Sequence, residues 1–503
     1  MIKQYFFKKG LLVLLTFALG ISDAQAQTAK QGRYNVIFIL SDDHRYDFMG
    51  FMHKVPGLKT PNMDRLALEG AHLQNAFVTT SLCSPSRASI LTGQYAHTHT
   101  VVDNQAPMPK GLVFFPEYLQ KAGYHTAFLG KWHMGNTNGA PQPGFDEWIS
   151  FKGQGVYMDP ALNINGKPVK KQGYITDLLT DYALGWLDTI SRDKPFFLYL
   201  SHKAVHAMFN PGKKYDGVYK DMPIICPPSM YLTATDSSRY YGKQTGPQTP
   251  VNYADIPVWV RRQRYSWHGV DHLYDGNMQF ETFYRKYCET LLGIDESIGR
   301  VLQWLKDHHM DKNTLVVYMG DNGFQFGEHG LIDKRDMYET SIRVPLLAWC
   351  PSLIRPGTKV KQMVENIDIA PTVLDLAGIA EPAQMQGKSF LPLLEGKQTA
   401  WRKEIFYEYY WEWAFPMTPT IFGIRTDRYK YIYNWGVWDI NELYDLQNDP
   451  EEMNNLIRDP KYHAIAKSLK KDLWDWLDKT KGMEIPLKKN DAKRNHIPYQ
   501  DTY

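Results

Sequence analysis

Four apolar runs, each followed at once by a cluster of polar residues, place the strongest constraint on how this 503-residue chain can fold. The first run, Y-N-V-I-F-I-L at residues 34–40, is nearly continuous in β-branched and apolar residues. Such a run is typical of a strand that is buried on both faces. The other three lie at residues 124–129, 195–200 and 314–319. Because the carboxyl ends of parallel strands lie along one edge of a sheet, we expect the four polar clusters to meet there.

The helical patterns between and after these runs indicate an α/β protein. Residues 280–307 repeat apolar side chains along one face of a long helix. We therefore expect a catalytic domain over residues 27–390, with a large mixed, mostly parallel sheet flanked by helices. Residues 391–503 are expected to form a smaller C-terminal α+β subdomain with an antiparallel sheet, from strand-like segments at 404–410, 421–425 and 429–433.

The first 26 residues have the pattern of a secretory signal. Three lysines precede an apolar stretch at residues 10–21, and A-Q-A at residues 24–26 matches a cleavage site. No other stretch approaches the length of a membrane span without charges, so we expect a periplasmic or extracellular protein with no span in the mature chain. The net charge of +3 is too close to neutral to predict nucleic-acid binding.

The segment C-S-P-S-R-A-S-I-L-T-G, from Cys83 to Gly93, joins a strand to a helix that we expect at residues 86–91, just after Pro85. A cysteine at this turn lies over a helix N-terminus, where the helix dipole and free N–H groups favour an anion. Arg87 adds a planar guanidinium suited to a tetrahedral oxyanion. For a lone cysteine, the simpler interpretation is a buried, unreactive thiol.

Acidic side chains follow two of the four runs. Asp42 and Asp43 come directly after the first run, and Asp321 and Asn322 follow the fourth. Adjacent carboxylates at a strand end repel each other unless a cation lies between them, so oxygen ligands at a sheet edge favour a hard cation. A helix cap or a solvated turn is the alternative for Asp42 and Asp43.

Basic side chains follow the second, third and fourth runs. Lys131 and His133 lie in G-K-W-H-M-G, His206 ends S-H-K-A-V-H, and Lys334 follows the acidic pair of the fourth run. A surface loop is the alternative for a lone K-x-H. A further pair, His97 and His99, has the spacing of metal ligands but no partners, and is better interpreted as a loop beside the pocket.

These motifs, in this order, resemble those of the type I sulfatases, within the alkaline-phosphatase-like superfamily. The resemblance covers residues 35–456. It implies that a maturation enzyme oxidises Cys83 to formylglycine (3-oxoalanine). It also implies that one divalent cation is bound by Asp42, Asp43, the modified Cys83, Asp321 and Asn322. Since these ligands are oxygens, calcium is expected, with magnesium as the alternative.

The resemblance also implies the chemistry. Arg87, Lys131, Lys334 and the cation would neutralise a sulfate ester. One hydroxyl of the hydrated aldehyde would attack sulfur, with His206 as general acid for the leaving alcohol. His133 would then act as the base that allows sulfate to leave and the aldehyde to re-form.

The substrate is expected to be a sulfated glycan. Q-Y-A-H-T-H-T-V-V-D-N-Q, at residues 94–105, is most similar to the N-acetylglucosamine-6-sulfatase branch. Another sulfated sugar, an aryl sulfate, a phosphonate or phosphate ester, and an inactive glycan-binding protein are the alternatives. Aromatic and arginine side chains could wall the pocket or merely pack: Trp259, Arg261, Arg262, Arg264 and Trp267, residues 409–413, and residues 435–439.

Overall fold

The structure is a computed structural model that describes residues 33–135, 139–234, 253–274, 276 and 278–484. The predicted signal therefore lies outside the described residues. The strands are β1 Asn35–Ser41, β2 Ala71–Phe77, β3 His125–Lys131, β4 Glu147–Phe151, β5 Ala161–Ile164, β6 Lys167–Lys170, β7 Phe196–Ser201, β8 Thr314–Gly320, β9 Gln325–Phe326, β10 Ile332–Asp333, β11 Leu346–Trp349, β12 Thr358–Glu365, β13 Glu404–Tyr409, β14 Thr420–Thr426, β15 Tyr429–Trp435 and β16 Glu442–Asp445.

Ten of these strands form one sheet, in the order β12-β2-β11-β8-β1-β7-β3-β4-β5-β6. The central strands β8, β1, β7, β3 and β4 are parallel, whereas β11 runs antiparallel to both of its neighbours and β5 and β6 form an antiparallel edge. The predicted fold class, a large mixed and mostly parallel sheet, is therefore confirmed. The short antiparallel edge was not predicted.

Helices cover both faces of this sheet. The α-helices of the described residues are α1 Pro61–Glu69, α2 Cys83–Thr92, α3 Ala96–His99, α4 Phe115–Lys121, α5 Ile175–Thr189, α6 Val258–Gln263, α7 Phe280–Asp307, α8 Glu339–Ile342, α9 Ile369–Leu376, α10 Leu391–Leu394 and α11 His463–Thr480. Alternate side chains of β1 enter two different apolar cores: Val36 and Phe38 one, Ile37 and Ile39 the other. This burial on both faces explains the uninterrupted apolar run.

The C-terminal part contains the expected antiparallel sheet, in the order β13-β14-β15-β16. Helix α11 packs on it, with Leu473 and Leu477 in a third apolar core beside Phe422 and Ile424. The bounds predicted for α7 agree with the structure. Among the described residues, no helix has the length and apolar character needed to cross a membrane.

Candidate active site

The strand register brings the polar clusters together at the carboxyl edge of the large sheet. Leu40 of β1 lies opposite Ser201 of β7, and Ser41 lies opposite Gly320 of β8. The residues that follow these positions are therefore neighbours, and backbone hydrogen bonds keep them together. The amide of Asp42 donates to the carbonyl of Ala204 at 2.9 Å, and the amide of Asp321 donates to the carbonyl of Ser41 at 2.9 Å.

The carboxylate cluster consists of Asp42, Asp43, Asp321 and Asn322, all fully buried. One oxygen from each of the three aspartates lies within 4.8 Å of the others. Two further oxygens of the cluster, Oδ2 of Asp43 and Oδ1 of Asn322, are buried without a hydrogen-bond partner among the described residues. Because orphaned buried acceptors are uncommon in native proteins, this group of oxygens is suited to a cation.

The pKa values of two carboxylates in the cluster are shifted in opposite directions. Burial raises the pKa of Asp43 to about 7. The charge of Lys334 acts against this shift, whereas repulsion from Asp42 and Asp321 adds to it. Burial would also raise the pKa of Asp42, but the charges of Lys131 and Arg87 hold that pKa well below its usual range. Asp43 also has a positive φ of 57°, a conformation that costs free energy in a residue with a side chain. The fold therefore holds like charges together in a strained turn.

Cys83 is the first residue of α2, so this helix begins three residues earlier than the sequence suggested. The correction has a simple cause. Pro85 falls in the first helical turn, where the missing N–H has no intrahelical partner to lose. The Sγ atom of Cys83 lies 3.4 Å from Oδ1 of Asp42 and is fully buried. Burial and the charge of Asp42 raise the pKa of the thiol, so an unmodified Cys83 is a poor nucleophile.

Arg87 lies one turn further along α2 and binds three parts of the site. Its guanidinium contacts Oδ2 of Asp321 through Nε at 2.9 Å and Nη2 at 2.8 Å. Its Nη1 donates to the hydroxyl of Ser201 at 2.7 Å and to the carbonyl of Lys131 at 2.6 Å. These bonds fix a cation beside Cys83 at the edge of three strands.

Lys131 and Lys334 enter from opposite sides. The Lys131 ammonium contacts Oδ2 of Asp42 and Oε1 of Gln154, and the Lys334 ammonium contacts Oδ1 of Asp43. Lys131 can occupy this position because Gly130 lets β3 approach β7: a Cβ atom on Gly130 would lie 1.7 Å from the carbonyl oxygen of Ser201. Two lysines are thus paired with two carboxylates of the cluster.

The two predicted histidines are buried and have few partners. Nδ1 of His133 has no hydrogen-bond partner among the described residues, and Nε2 of His206 lies 3.9 Å from Oδ2 of Asp43. Burial and the charge of Lys131 lower the pKa of both rings well below the usual value. Both imidazoles are therefore neutral until an anion offsets the lysine charges. All ten predicted site residues lie in this one region.

A cavity of about 200 Å³ opens above Lys334 and His206. Its walls include Met208, Trp267, Tyr274 and Phe415, and Asp333 and Arg335 flank Lys334 at its base. The guanidinium carbon of Arg335 lies 3.7 Å from the centroid of the Phe415 ring. Asp333 and Arg335 have positive φ values of 79° and 93°, so the backbone is strained on both sides of Lys334.

Of the five side chains between Trp259 and Trp267 that were considered as a wall, Trp267 alone borders this cavity. Trp259 is buried and donates from Nε1 to Asn434 at 3.2 Å, and buried Arg264 pairs with Asp271 at 2.8 Å. Arg261 borders a different surface depression, together with Trp438.

The two C-terminal aromatic runs do not line the cavity either. Tyr409 and Tyr410 are buried, and Trp435 packs against Trp474 of α11 with ring centroids 5.8 Å apart. The wall from this part of the chain is instead Phe415. The first run acts indirectly, because buried Glu412 accepts from Nε of Arg335 at 2.9 Å.

His97 and His99 are also misplaced by the sequence prediction. They lie in α3 rather than in a loop beside the pocket. Nδ1 of His97 is 2.8 Å from Oε2 of Glu408 in β13, and Nε2 of His99 is 3.0 Å from the hydroxyl of Ser89. This pair therefore joins α2 to the C-terminal sheet.

Sequence reasoning missed two buried polar residues of the site, Gln154 and Lys203. Gln154 follows β4, a strand that was not predicted, and it borders the cavity. Lys203 lies within the S-H-K-A-V-H segment that supplied His206. In both cases the position just after a strand was the available signal.

Comparison with known proteins is consistent with this geometry. Residues 34–379 match the family model described as Sulfatase, and residues 327–479 match N-sulphoglucosamine sulphohydrolase, C-terminal. The chain is 34% identical to N-acetylglucosamine-6-O-sulfatase of Bacteroides thetaiotaomicron, covering 91% of this chain and 88% of that protein. It is 31% identical to N-acetylglucosamine-6-sulfatase of Capra hircus, covering 90% and 83%.

A solved structure is also similar over most of the chain. It is a protein in complex with its substrate D-glucosamine-2-N,6-O-disulfate, with a TM-score of 0.79 and 31% sequence identity. The match covers 90% of this chain and 99% of that one.

Proposed function

The chain belongs to the sulfatase family and is a sulfuric ester hydrolase, and we propose that it removes the 6-O-sulfate from N-acetylglucosamine at the end of a sulfated glycan. The observation that carries the proposal is the 31% identity, over 90% of the chain, to a structure solved with a 6-O-sulfated glucosamine as its substrate. The two N-acetylglucosamine-6-sulfatases that match nine-tenths of the chain support the same sugar.

The carboxylate cluster fits a calcium ion. The donor set consists of oxygens alone, and two of them, on Asp43 and Asn322, accept no hydrogen bond from the described residues. Hard oxygen donors favour calcium or magnesium over zinc. We propose that Asp42, Asp43, Asp321 and Asn322 hold calcium, which when bound would supply positive charge against the sulfate group.

The position of Cys83 fits a formylglycine residue. Its Sγ atom lies within 4.8 Å of ligand atoms on Asp42 and His206, and its own thiol is poorly ionised for the reason given above. As the hydrated aldehyde, the modified side chain would supply the nucleophilic hydroxyl. We propose modification by a formylglycine-generating maturation enzyme.

The remaining side chains would bind and protonate the substrate. Arg87, Lys131 and Lys334 each contact a carboxylate of the cluster, and their charges would neutralise an anionic sulfate group bound beside it. His206 borders the cavity and would protonate the leaving sugar oxygen, and the buried His133 would accept a proton. A bound sulfate offsets the lysine charges that lower the pKa of His206, and so favours the protonated acid.

The shape of the cavity favours a 6-O-sulfate. That sulfate hangs from a primary carbon outside the ring, so it can reach Lys334 while the ring remains against the wall that contains Trp267 and Phe415. Sulfates at the 2-O and 3-O positions are attached directly to the ring, which would have to enter the cationic region itself. Charged Asp333 and Arg335 at the base are suited to hydrogen bonds with ring hydroxyls.

A desulfation panel tests the proposal. The protein, produced with a maturation enzyme and loaded with calcium, would be assayed for sulfate release from terminal and internal 6-O-sulfated N-acetylglucosamine. Sugars with 2-O- and 3-O-sulfates, an aryl sulfate and a phosphate monoester complete the panel. We expect fast release from the terminal 6-O-sulfated sugar alone. An equal rate on 2-O-sulfated uronic acid would contradict the proposed sugar but not the sulfatase activity.

We also propose that the protein acts in the periplasm or outside the cell, on the basis of the signal-like pattern at residues 1–26. Fractionation of cells that express the full chain tests this location. Activity that stays in the cytoplasmic fraction would contradict it.

A further inference from the structure

Lys203 is a buried lysine beside the active site that the mechanism above does not use. It lies between the end of β7 and His206, and only 4% of its surface is exposed. The surrounding backbone is fixed against the carboxylate cluster. The amide of Asp42 donates to the carbonyl of Ala204 at 2.9 Å, and the amide of Val205 donates to the carbonyl of Asp42 at 2.7 Å.

Lys203 differs from the other cations of the site in its partners. Arg87, Lys131 and Lys334 each contact a carboxylate of the cluster. Within the described residues, the Lys203 ammonium has neither an ion-pair partner nor a hydrogen-bond acceptor; it lies 4.8 Å from the centroid of the Tyr157 ring. The hydroxyl of Tyr157 in turn donates to the carbonyl of His206 at 2.6 Å.

A buried ammonium with only an aromatic ring beneath it lacks a counter-charge. Burial is costly for a charged group unless an opposite charge or hydrogen-bond acceptors compensate for it. Burial, together with the charge of Lys131, lowers the pKa of Lys203 to about 7, whereas Asp42, Asp43 and Cys83 act in the opposite direction. The side chain is therefore poised to gain charge when an anion arrives.

We infer that Lys203 is a fourth cationic residue of the anion site and that the sulfate group of the substrate supplies its missing counter-charge. The ring of Tyr157 lies against the Lys203 ammonium, and its hydroxyl donates to the carbonyl of His206. Tyr157 therefore links the cation to the proposed general acid. The inference rests on the proposed function for the identity of the anion, but it does not depend on which sugar carries the sulfate.

Calorimetric titration of the calcium-loaded protein with inorganic sulfate tests this role without requiring turnover. For Lys203→Met and Lys203→Gln we expect the sulfate Kd to rise about tenfold or more, because a charge-assisted contact is lost. Lys203→Arg, which keeps the charge, should restore the Kd to within about threefold of the wild-type value. Lys121→Met is the matched control, since Lys121 also lies over an aromatic ring, 5.6 Å from Tyr118, but is exposed.

Two results would overturn the inference. One is a sulfate Kd for folded Lys203→Met or Lys203→Gln that equals the wild-type value, which would mean that Lys203 only packs on Tyr157. The other is an equally weakened Lys203→Arg, which would mean that shape rather than charge matters. The wild type separates the two proposals: if it binds sulfate but hydrolyses no sulfated sugar, the proposed function fails while the Lys203 comparison still stands.

Discussion

Two buried charge clusters of the molecule differ in how completely their side chains are paired. One is the carboxylate cluster, and the other is an interface cluster, formed by Glu339, Arg425, Lys430 and Glu452, which joins α8 to the C-terminal sheet. Each carboxylate oxygen and each charged nitrogen of this cluster has a partner. The guanidinium of Arg425 donates to both carboxylate oxygens of Glu339 at 2.8 and 3.1 Å. The ammonium of Lys430 contacts the carboxylates of Glu339 and Glu452 at 2.9 and 2.7 Å.

The carboxylate cluster is also buried, but Oδ2 of Asp43 and Oδ1 of Asn322 have no hydrogen-bond partner among the described residues. It also contains a residue with a positive φ, Asp43. A buried ionic network that is fully paired stabilises a particular packing arrangement, whereas one with orphaned oxygens and strain is arranged for a group that binds later. Substitutions in the interface cluster should therefore lower stability, whereas substitutions in the carboxylate cluster should lower calcium binding or activity.

The largest difference is expected at Cys83. Cys83→Ala should lower kcat/KM by about 10⁴-fold or more, because loss of a nucleophile typically costs that much. Its unfolding temperature should stay near that of the wild type. Cys288→Ala, at a fully buried position in α7, is the matched control and should keep its activity. Residual turnover by Cys83→Ala within tenfold of the wild-type rate would refute the nucleophile assignment.

The next difference concerns calcium. Asp321→Asn should raise the calcium Kd at least about 100-fold, since even outer-shell partners of metal ligands typically account for 10–100-fold. Asp295→Asn serves as the control, because Asp295 is also buried but accepts from the amides of Asn62 and Met63. Calorimetry with calcium should separate the two variants, and equal calcium Kd values would count against the carboxylate cluster as the metal site.

A variant of the interface cluster should show the opposite behaviour. Lys430→Met leaves Glu339 and Glu452 short of a cation and should lower the free energy of unfolding by about 3–5 kcal/mol. Lys471→Met, which removes a surface pair with Asp475, should leave it nearly unchanged. Urea unfolding measures both. If Lys430→Met instead weakened calcium binding while stability was unchanged, the distinction between the clusters would be wrong.

The smallest effect is expected at the wall of the cavity. Phe415→Ala removes the ring beneath the guanidinium of Arg335 and should raise KM for the sugar about 3–10-fold with kcat nearly unchanged. Trp413→Ala, at a position that is 65% exposed and outside the cavity lining, should leave both constants as they are. Steady-state kinetics with terminal 6-O-sulfated N-acetylglucosamine would distinguish them, and a matching change in both variants would refute Phe415 as a sugar contact.

The sequence predicted the core of the sheet and the location of the site because both depend on local patterns. An apolar run that ends in polar residues predicts a buried strand and its carboxyl end, and this pattern located Asp42, Lys131, His206 and Asp321. The long helix α7 was predicted to its ends, since its apolar face repeats over 28 residues.

The walls of the cavity could not be predicted in the same way. Trp435 is covered by Trp474, which lies in a helix far along the chain, so its burial depends on tertiary packing rather than on its neighbours in sequence. Phe415 lies in an irregular segment with no periodic pattern to mark it. Lys203 carried a positional signal, but its lack of a carboxylate partner is visible only in three dimensions.

The mass of the peptide that contains Cys83, measured on enzyme with proven sulfatase activity, is the most direct test of the central claim. The account predicts a peptide about 18 Da lighter than the unmodified cysteine form, the difference between formylglycine and cysteine. This lighter form should increase in proportion to specific activity across preparations. A fully active preparation in which the peptide retains an unmodified thiol would contradict the account.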